Sequence, residues 1–444
     1  MDPEELGEVI STQRYLDGVV RFDGEGPLLE LVKLAAGQSW LPHQVDAFSY
    51  WNEETGAVSH NSPGPGPRLD ELPFAEFDDE LMGVLAQPEL GIYQARGCYW
   101  GRCTYCDFVE LYKGSVPYRT RTAKRFVDEM EHQMQRHGVE TFSIITESIP
   151  PAFAKKMSRE IVARELKLRW SSFAMVDDIF KPEIFELMSA SGCDHLVIGI
   201  ETMTDRVLKL VEKAATREKN IRFLKRSRDA GIDLRLNFIP NLPSTTKEES
   251  LAALEDFMEY RDCYSSVSVF PFEATRSSQV GREPERFGLR PEDSRGADGQ
   301  AQFASNHLKA VDTGMTTDDL NEVLEAYRSF SAKIRTERFV SRQAFVTDEC
   351  VPPKVRLAGA YLNFTSTPEG LDCFNWATND RILLGPEWGG VIESLQAVSS
   401  FRPEEFIKGF IDRPTGEYVY SQLVHYNMLI ASPNSLGEDI SYPA

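Results

Sequence analysis

His195-Leu196-Val197-Ile198-Gly199-Ile200 is a nearly continuous apolar run. A strand that is apolar at successive rather than alternate positions reads as a member of a parallel sheet buried on both faces. Outward from it, short strands and amphipathic helices alternate. Upstream, strands at 91–95, 141–145 and 170–176 are followed by helices at 122–137, 152–166 and 182–190. Downstream, a helical stretch from Thr204 to Ala230, broken near Ala214–Thr216, leads to a strand at 233–239, a helix at 246–260 and a sixth strand at 265–272. The helix from Thr122 carries Phe126, Val127, Met130 and Met134 on one face and stops at Gly138. Six such units predict a parallel sheet with right-handed crossovers. Periodicity does not choose between a partial barrel and an open, doubly wound sheet.

The first of these strands runs into Arg96-Gly97-Cys98-Tyr99-Trp100-Gly101-Arg102-Cys103-Thr104-Tyr105-Cys106, which holds three of the seven cysteines in C-x4-C-x2-C spacing. Structural zinc wants four tetrahedral ligands, commonly from paired Cys/His spacings. No second pair follows, and the nearest histidines, His132 and His137, fall in an amphipathic helix. Three thiolates without a fourth suit a [4Fe–4S] cluster with one iron left open, four-cysteine ligation being the ordinary case. A zinc-stabilised, non-catalytic binding protein is the alternative. Cys193, Cys263, Cys350 and Cys373 are scattered and read as buried thiols, not a disulfide framework.

The 444 residues are 41% hydrophobic and 26% charged, an ordinary globular balance, and predict two or three domains. The net charge of -21 argues against nucleic acid or an anionic membrane as partner and is compatible with a cationic substrate. Met1-Asp2-Pro3-Glu4-Glu5 is no signal peptide, and no apolar run approaches the roughly 18 residues of a transmembrane helix, so a cytoplasmic protein is expected. Residues 1–60 read as a fragment of an α/β unit: a strand at 18–22, a turn at 23–27, a Leu-rich helix ending at Gly37 and a hairpin at 47–58. The Pro/Gly-rich stretch 61–67 reads as a linker. Residues 274–312 are polar and weakly periodic, a long loop or lid, and a helix follows from Thr317 to Arg335. Strands at 354–357 and 361–364, with helices at 391–398, 403–410 and 418–429, form a small winged-helix-like module. The expected division is 1–87, 88–340 and 341–444.

The cysteine loop, with Tyr105 before its last cysteine, resembles the cluster loop of the radical S-adenosylmethionine (radical SAM) superfamily, with one residue more in the first gap than the usual C-x3-C-x2-C. The resemblance extends over residues 90–275. Thr146-Glu147-Ser148 sits where the family places its SAM-amino-binding motif, without the usual two glycines. Ile198-Gly199-Ile200-Glu201-Thr202 resembles the family's fourth-strand segment, continued by Arg206-Val207-Leu208 and Lys213. Asn237-Phe238-Ile239-Pro240-Asn241-Leu242-Pro243 resembles the fifth-strand segment. Val19 to Leu31 resembles the tail of the B12-binding domain of one branch, but the Asp-x-His-x-x-Gly pattern for cobalamin is absent.

The resemblance implies an α/β chain: a partial (β/α)6 radical SAM barrel, a small degenerate N-terminal region that does not hold cobalamin, and the small C-terminal module. Cys98, Cys103 and Cys106 would hold the cluster. Glu147 and Glu201 would accept hydrogen bonds from SAM, Tyr105 would pack against adenine, and Thr146, Ser172, Lys213 and Asn237 complete the expected cofactor-binding set. Asn237, Glu273 and Arg276 end the last two strands, where a substrate would sit. The implied activity is hydrogen abstraction from a small molecule in specialised metabolism such as antibiotic biosynthesis. A dehydration or deoxygenation of an aminosugar is favoured, as in radical SAM diol-dehydratases acting on aminoglycosides, with flavodoxin or ferredoxin as electron donor. A peptide-maturing enzyme and a cobalamin-type methyltransferase are the alternatives.

Overall fold

The six strand-then-helix units join in one sheet whose neighbouring strands are all parallel. The computed structural model describes residues 3–13, 15–37, 40–84, 89–109, 116–292, 306–343, 355–359, 362–368, 370–375, 380–385, 388–398, 400–426 and 428–431. The chain divides into two compact units, Met1–Tyr327 and Arg328–Ala444.

The first unit opens with α1 (Pro3–Thr12), β1 (Val19–Val20), α2 (Glu25–Ala36), β2 (Phe48–Asn52) and β3 (Ala57–His60). These three strands form an antiparallel sheet, with Val19 opposite Ser49 and Trp51 opposite Val58. The strands flanking α2 are thus not the parallel pair of an α/β unit. The helix shows why: a crossover helix must bury a stripe on its sheet, and no residue of α2 is buried. Only Leu31 and Leu34 lean on the cluster of Val45, Phe48 and Tyr50, while Leu28, Leu29 and Val32 face outward.

After α3 (Asp79–Val84) come β4 (Glu89–Tyr93), then β5 (Ala95–Arg96) and β6 (Arg119–Thr120), an antiparallel pair at the base of the cysteine loop. The barrel continues through α4 (Ala123–His137), β7 (Thr141–Ile145), α5 (Pro151–Ala163), β8 (Arg169–Ala174), α6 (Pro182–Ala190), β9 (Cys193–Glu201), α7 (Asp205–Leu210), α8 (Arg217–Asp229), β10 (Asp233–Phe238), α9 (Lys247–Glu259) and β11 (Ser266–Val269). Local chemistry sets the boundaries. Thr122 caps α4 and Gly138, at φ 67°, ends it in the left-handed conformation. Thr216 caps α8 where the long helical stretch breaks, and Thr246 with Glu249 forms a capping box on α9.

The strand order, β4-β7-β8-β9-β10-β11, follows the sequence. Right-handed crossovers between consecutive neighbours put every helix on one face, so the sheet curls into a partial barrel; a doubly wound sheet would reverse its order. Register assigns the faces. Ile92, Phe142, Ile144, Trp170, Leu196, Ile198, Leu236 and Phe238 turn to the helices and are buried, with Phe238 stacked on Phe257 of α9 at 4.1 Å. The concave face carries Gly91, Ser143, Ser171, Gly199, Asn237 and Ser268. There Tyr93, Ile145 and Phe173 are 48%, 38% and 49% exposed, so this face is open. The run 195–200 is therefore covered on one face only, a correction to its reading as buried on both: Leu196, Ile198 and Ile200 are fully buried, and Val197 and Gly199 look into the barrel.

The polar stretch after β11 is more ordered than a loop. It holds α10 (Gln279–Arg282) and the antiparallel pair β12 (Leu289–Pro291) and β13 (Ala310–Asp312); positions 293–305 of the expected lid lie outside the described residues. Next is α11 (Thr317–Gln343), whose Tyr327 hydroxyl donates to the Ser250 carbonyl at 2.9 Å.

The second unit contains β14 (Val355–Leu357), β15 (Leu362–Thr367), β16 (Gly370–Asn375), β17 (Asp380–Leu384), α12 (Gly389–Gln396), α13 (Pro403–Lys408), α14 (Arg413–His425) and β18 (Leu429–Ala431). β15, β16 and β17 form an antiparallel meander and β14 pairs with β18. β16, β17 and β18 add to the two strands read from sequence. Leu357, Leu362, Leu395 and Leu423 belong to its core. No helix among the described residues is long and apolar enough to cross a membrane.

Candidate active site

The cysteine loop leaves the sheet at the carboxyl end of β4, where parallel barrels gather their functional groups. Gly97, at φ 80°, starts it, and a Cβ there would lie 1.9 Å from the Pro117 carbonyl oxygen, so only glycine fits. The loop is pinned along its length. The Thr104 amide donates to the Val211 carbonyl at 3.1 Å, the Val280 amide to the Thr104 carbonyl at 3.0 Å, and the Trp100 indole to the Glu212 carbonyl at 2.9 Å. Just after the last cysteine, Asp107 accepts hydrogen bonds from Thr275, Ser277 and Asn306, at 2.5, 2.6 and 3.0 Å.

Cys98, Cys103 and Cys106 are half-buried free thiols. Burial pushes the Cys103 thiol up to about 11; Lys213 opposes the rise, and Cys98 and Glu201 add to it. Burial pushes Cys106 up to about 12, with Cys103 and Cys98 adding and Lys213 again opposing. Cys103 and Cys106 thus share one cation. A cavity of about 210 Å³ touches Cys103, Cys106, Glu212 and Gln279. Among the described residues no three His, Cys, Asp or Glu side chains converge to hold a single ion. His132 lies against Phe74, and His137 beside Phe77 and Asp79. A cluster takes one thiolate per iron and so needs a wider triangle than one ion does. Three soft, unpaired donors on one loop beside an ammonium fit a [4Fe–4S] cluster.

That ammonium belongs to a buried triad. Lys213 Nζ donates to Glu201 Oε1 at 2.7 Å and to the Tyr105 hydroxyl at 3.1 Å, while the hydroxyl donates to the same Oε1 at 3.2 Å. Burial alone would lower the Lys213 pKa; Glu201, helped by Cys103 and Cys106, raises it above the ordinary lysine value. Burial raises the Tyr105 pKa, and the charge of Glu201 raises it further. Backbone irregularity aims the carboxylate. Asn237 pairs with Gly199 but Phe238 with Glu201, so β9 bulges at Ile200, and Glu201 takes a φ of 61° that non-glycine residues seldom adopt. Gly199 leaves the room, since a Cβ there would sit 2.5 Å from Glu201 Oε1.

The structure brings Tyr105, Glu201 and Lys213 together beside the cysteines. Asn237 stands on the concave face between Gly199 and Ser268. Thr146 is buried and donates to the Ser148 carbonyl at 3.4 Å. Glu147, just beyond β7, is half-buried, and burial raises its pKa. Ser172 aligns with Ile144 and Leu196 on the helix face, and its hydroxyl donates to the Phe173 carbonyl at 3.0 Å. His195 pairs with Asp194 at 2.9 Å, and Tyr264 is a core residue whose hydroxyl donates to the Phe257 carbonyl. Past the ends of β10 and β11, a cavity of about 910 Å³ is lined by Asn241, Phe272, Glu273, His307, Asp312 and Leu320 among others, with His307 and Glu273 3.1 Å apart. Arg276 donates to the His307 carbonyl beside it. Sequence reasoning missed Asp107, although its place next to Cys106 marked it for inspection.

The Radical SAM superfamily profile matches residues 92–257. The anaerobic magnesium-protoporphyrin IX monomethyl ester cyclase of Rubrivivax gelatinosus is 26% identical over 251 residues, 54% of this chain and 44% of that protein. The chain thus spans less than half the length of that relative. Among solved structures, the radical SAM methyltransferase TsrM of Kitasatospora setae, with cobalamin and a [4Fe–4S] cluster bound, has a TM-score of 0.58 at 18% identity, covering 72% of this chain and 71% of that one. OxsB, a cobalamin-dependent radical enzyme with aqua-cobalamin bound, has a TM-score of 0.56 at 17% identity, covering 78% and 55%. These likenesses concern the fold. The expectation that cobalamin is absent finds no support in them, because both structures contain it. The match over 92–257, the parallel barrel and the cysteine loop together make this a chain with a radical SAM domain.

Proposed function

We propose that the chain is a radical SAM enzyme acting on a small molecule, with Cys98, Cys103 and Cys106 holding a [4Fe–4S] cluster. The observation that carries this reading is the convergence of the three free thiols with the buried Tyr105–Glu201–Lys213 triad. When bound, the cluster and SAM together supply a 5′-deoxyadenosyl radical that abstracts hydrogen. This chain's residues supply binding, orientation and exclusion of water. Metal ligation requires the thiols to lose their protons, and the Lys213 ammonium favours the thiolates of Cys103 and Cys106. Glu201 is held in one position by two donors, a pre-set acceptor for the amino or ribose groups of SAM, with Glu147, Thr146 and Asn237 as further polar groups along the strand ends.

The substrate is proposed to enter the cavity past β10 and β11. Its lining sets four carboxylates, Glu273, Glu292, Asp312 and Asp319, against two cations, Arg290 and Lys309; this acidic balance, with the overall charge of -21, favours a cationic, hydroxylated molecule such as an aminosugar, and hence a dehydration or deoxygenation. Flavodoxin or ferredoxin would deliver the electron. A cobalamin-type methyltransferase is the second reading, favoured by the cobalamin in TsrM and OxsB.

Anaerobic reconstitution should give a brown protein with about four irons per chain that forms 5′-deoxyadenosine from SAM and dithionite, faster with the right member of an aminosugar and peptide panel. Cys98→Ala, Cys103→Ala and Cys106→Ala should each abolish this. Bound cobalamin with S-adenosylhomocysteine as product selects the methyltransferase, and a colourless, zinc-retaining protein refutes the enzyme.

A further inference from the structure

We propose that Asp23 is a positioning residue for the cysteine loop, latching its two ends together through Arg96 and Arg119. The loop leaves through β5 and returns through β6, where Arg96 and Arg119 stand directly opposite one another. Two like charges facing across a ladder repel, and here both side chains are mostly buried, at 16% and 11% exposure. Asp23, from the N-terminal segment before α2, lies between them at 3% exposure, one carboxylate oxygen on each guanidinium. Glu25 takes a second side of Arg96. The segment that reads as a linker closes over the pair: a Cβ on Gly66 would lie 2.3 Å from Arg119 Nη1 and 2.4 Å from Asp23 Oδ2, and Arg119 Nη1 donates to the Pro67 carbonyl at 3.1 Å. At the same base Gly97 touches the Pro117 carbonyl, and the Arg121 amide donates to the Gln94 carbonyl at 3.0 Å. Without the Asp23 carboxylate, two mostly buried guanidiniums face each other at the point where the loop must close, with Glu25 on the Arg96 side alone. Arg96 is two residues from Cys98, so the N-terminal region acts on the cysteines through this latch.

The test uses the full, iron-free chain and needs neither SAM nor substrate, so its outcome is independent of the proposed activity. Iodoacetamide labelling is followed at each cysteine by mass spectrometry. In Asp23→Asn, labelling of Cys98, Cys103 and Cys106 should quicken by about tenfold or more, the scale expected for losing charge-assisted bonds that hold a local segment shut. Cys193 and Cys263, buried elsewhere in the same unit, should keep their rates. Asp23→Glu should restore part of the protection. Glu25→Gln, which leaves the Asp23 bridge intact, should give a smaller rise at the same three positions, and it serves where Asp23→Asn does not fold. Unchanged rates at the three loop cysteines, or an equal rise at Cys193 and Cys263, would overturn the latch; the second result would mean that Asp23 merely stabilises the whole unit.

Discussion

Gly199→Ala tests how tightly the triad is held. The added Cβ would lie 2.5 Å from Glu201 Oε1 and 3.3 Å from Lys213 Nζ. The oxygen must retreat by about 0.9 Å to reach ordinary contact, and that same oxygen accepts from both Lys213 and Tyr105. Backbone strain plays no part, because Gly199 has no positive φ. The cost is therefore that of the displaced bonds, about 2–4 kcal/mol for two hydrogen bonds to a carboxylate that are weakened, not lost. Lys213→Met should cost about 3–5 kcal/mol by leaving Glu201 charged and unpaired in a desolvated place. With Lys213 gone only the Tyr105 hydroxyl still holds that oxygen, so adding Gly199→Ala should then cost less than it does alone, by about 1 kcal/mol or more. Native-state hydrogen exchange at the amides of β9 and β10 reads these energies within the barrel unit. Costs that simply add, to within about 0.5 kcal/mol, would refute the idea that Gly199 exists to seat the triad.

Glu147→Gln should raise thermal stability at pH 7 and leave it unchanged near pH 4. Burial lifts the Glu147 pKa, so wild-type stability falls as pH rises past the ordinary carboxylate value and levels off above the raised one, where the cost of ionising Glu147 is complete, a fall the neutral amide escapes. Tyr105→Phe should cost about 1–2 kcal/mol, for a hydroxyl bonded at both ends, with the loss visible in exchange at the loop amides. Asp107→Ala removes the acceptor for Thr275, Ser277 and Asn306, and limited proteolysis between 274 and 292 should quicken about tenfold.

Much of the barrel is legible in the sequence because local rules fix it. Thr122, Gly138, Thr216 and the Thr246–Glu249 box mark helix ends through bonds reaching only a few residues. The parallel order follows from repeated strand-then-helix units. The face that Val197 looks into is not legible, because an apolar run does not say whether the second face meets helices or an open lumen. Ser172 lies on the third strand of the barrel, yet its register with Leu196 turns it to the helices. Glu201 and Lys213 were legible through the motif they share, but the bulge at Ile200 that aims Glu201 was not, since a bulge depends on the neighbouring strand. Asp23 meets Arg96 across 73 residues, and Asp107 meets Asn306 across 199. No periodicity or propensity carries such pairings.

The cysteine loop is held at its base by residues that precede it and along its flank by residues that follow it. Chains are made from the N-terminus, so Asp23 exists before the loop emerges from the ribosome, and Thr275 and Ser277 come long after it. The residues that fix the base of the loop are therefore available during synthesis before those that cover its flank, so the two restraints on one loop belong to different moments in the making of the chain.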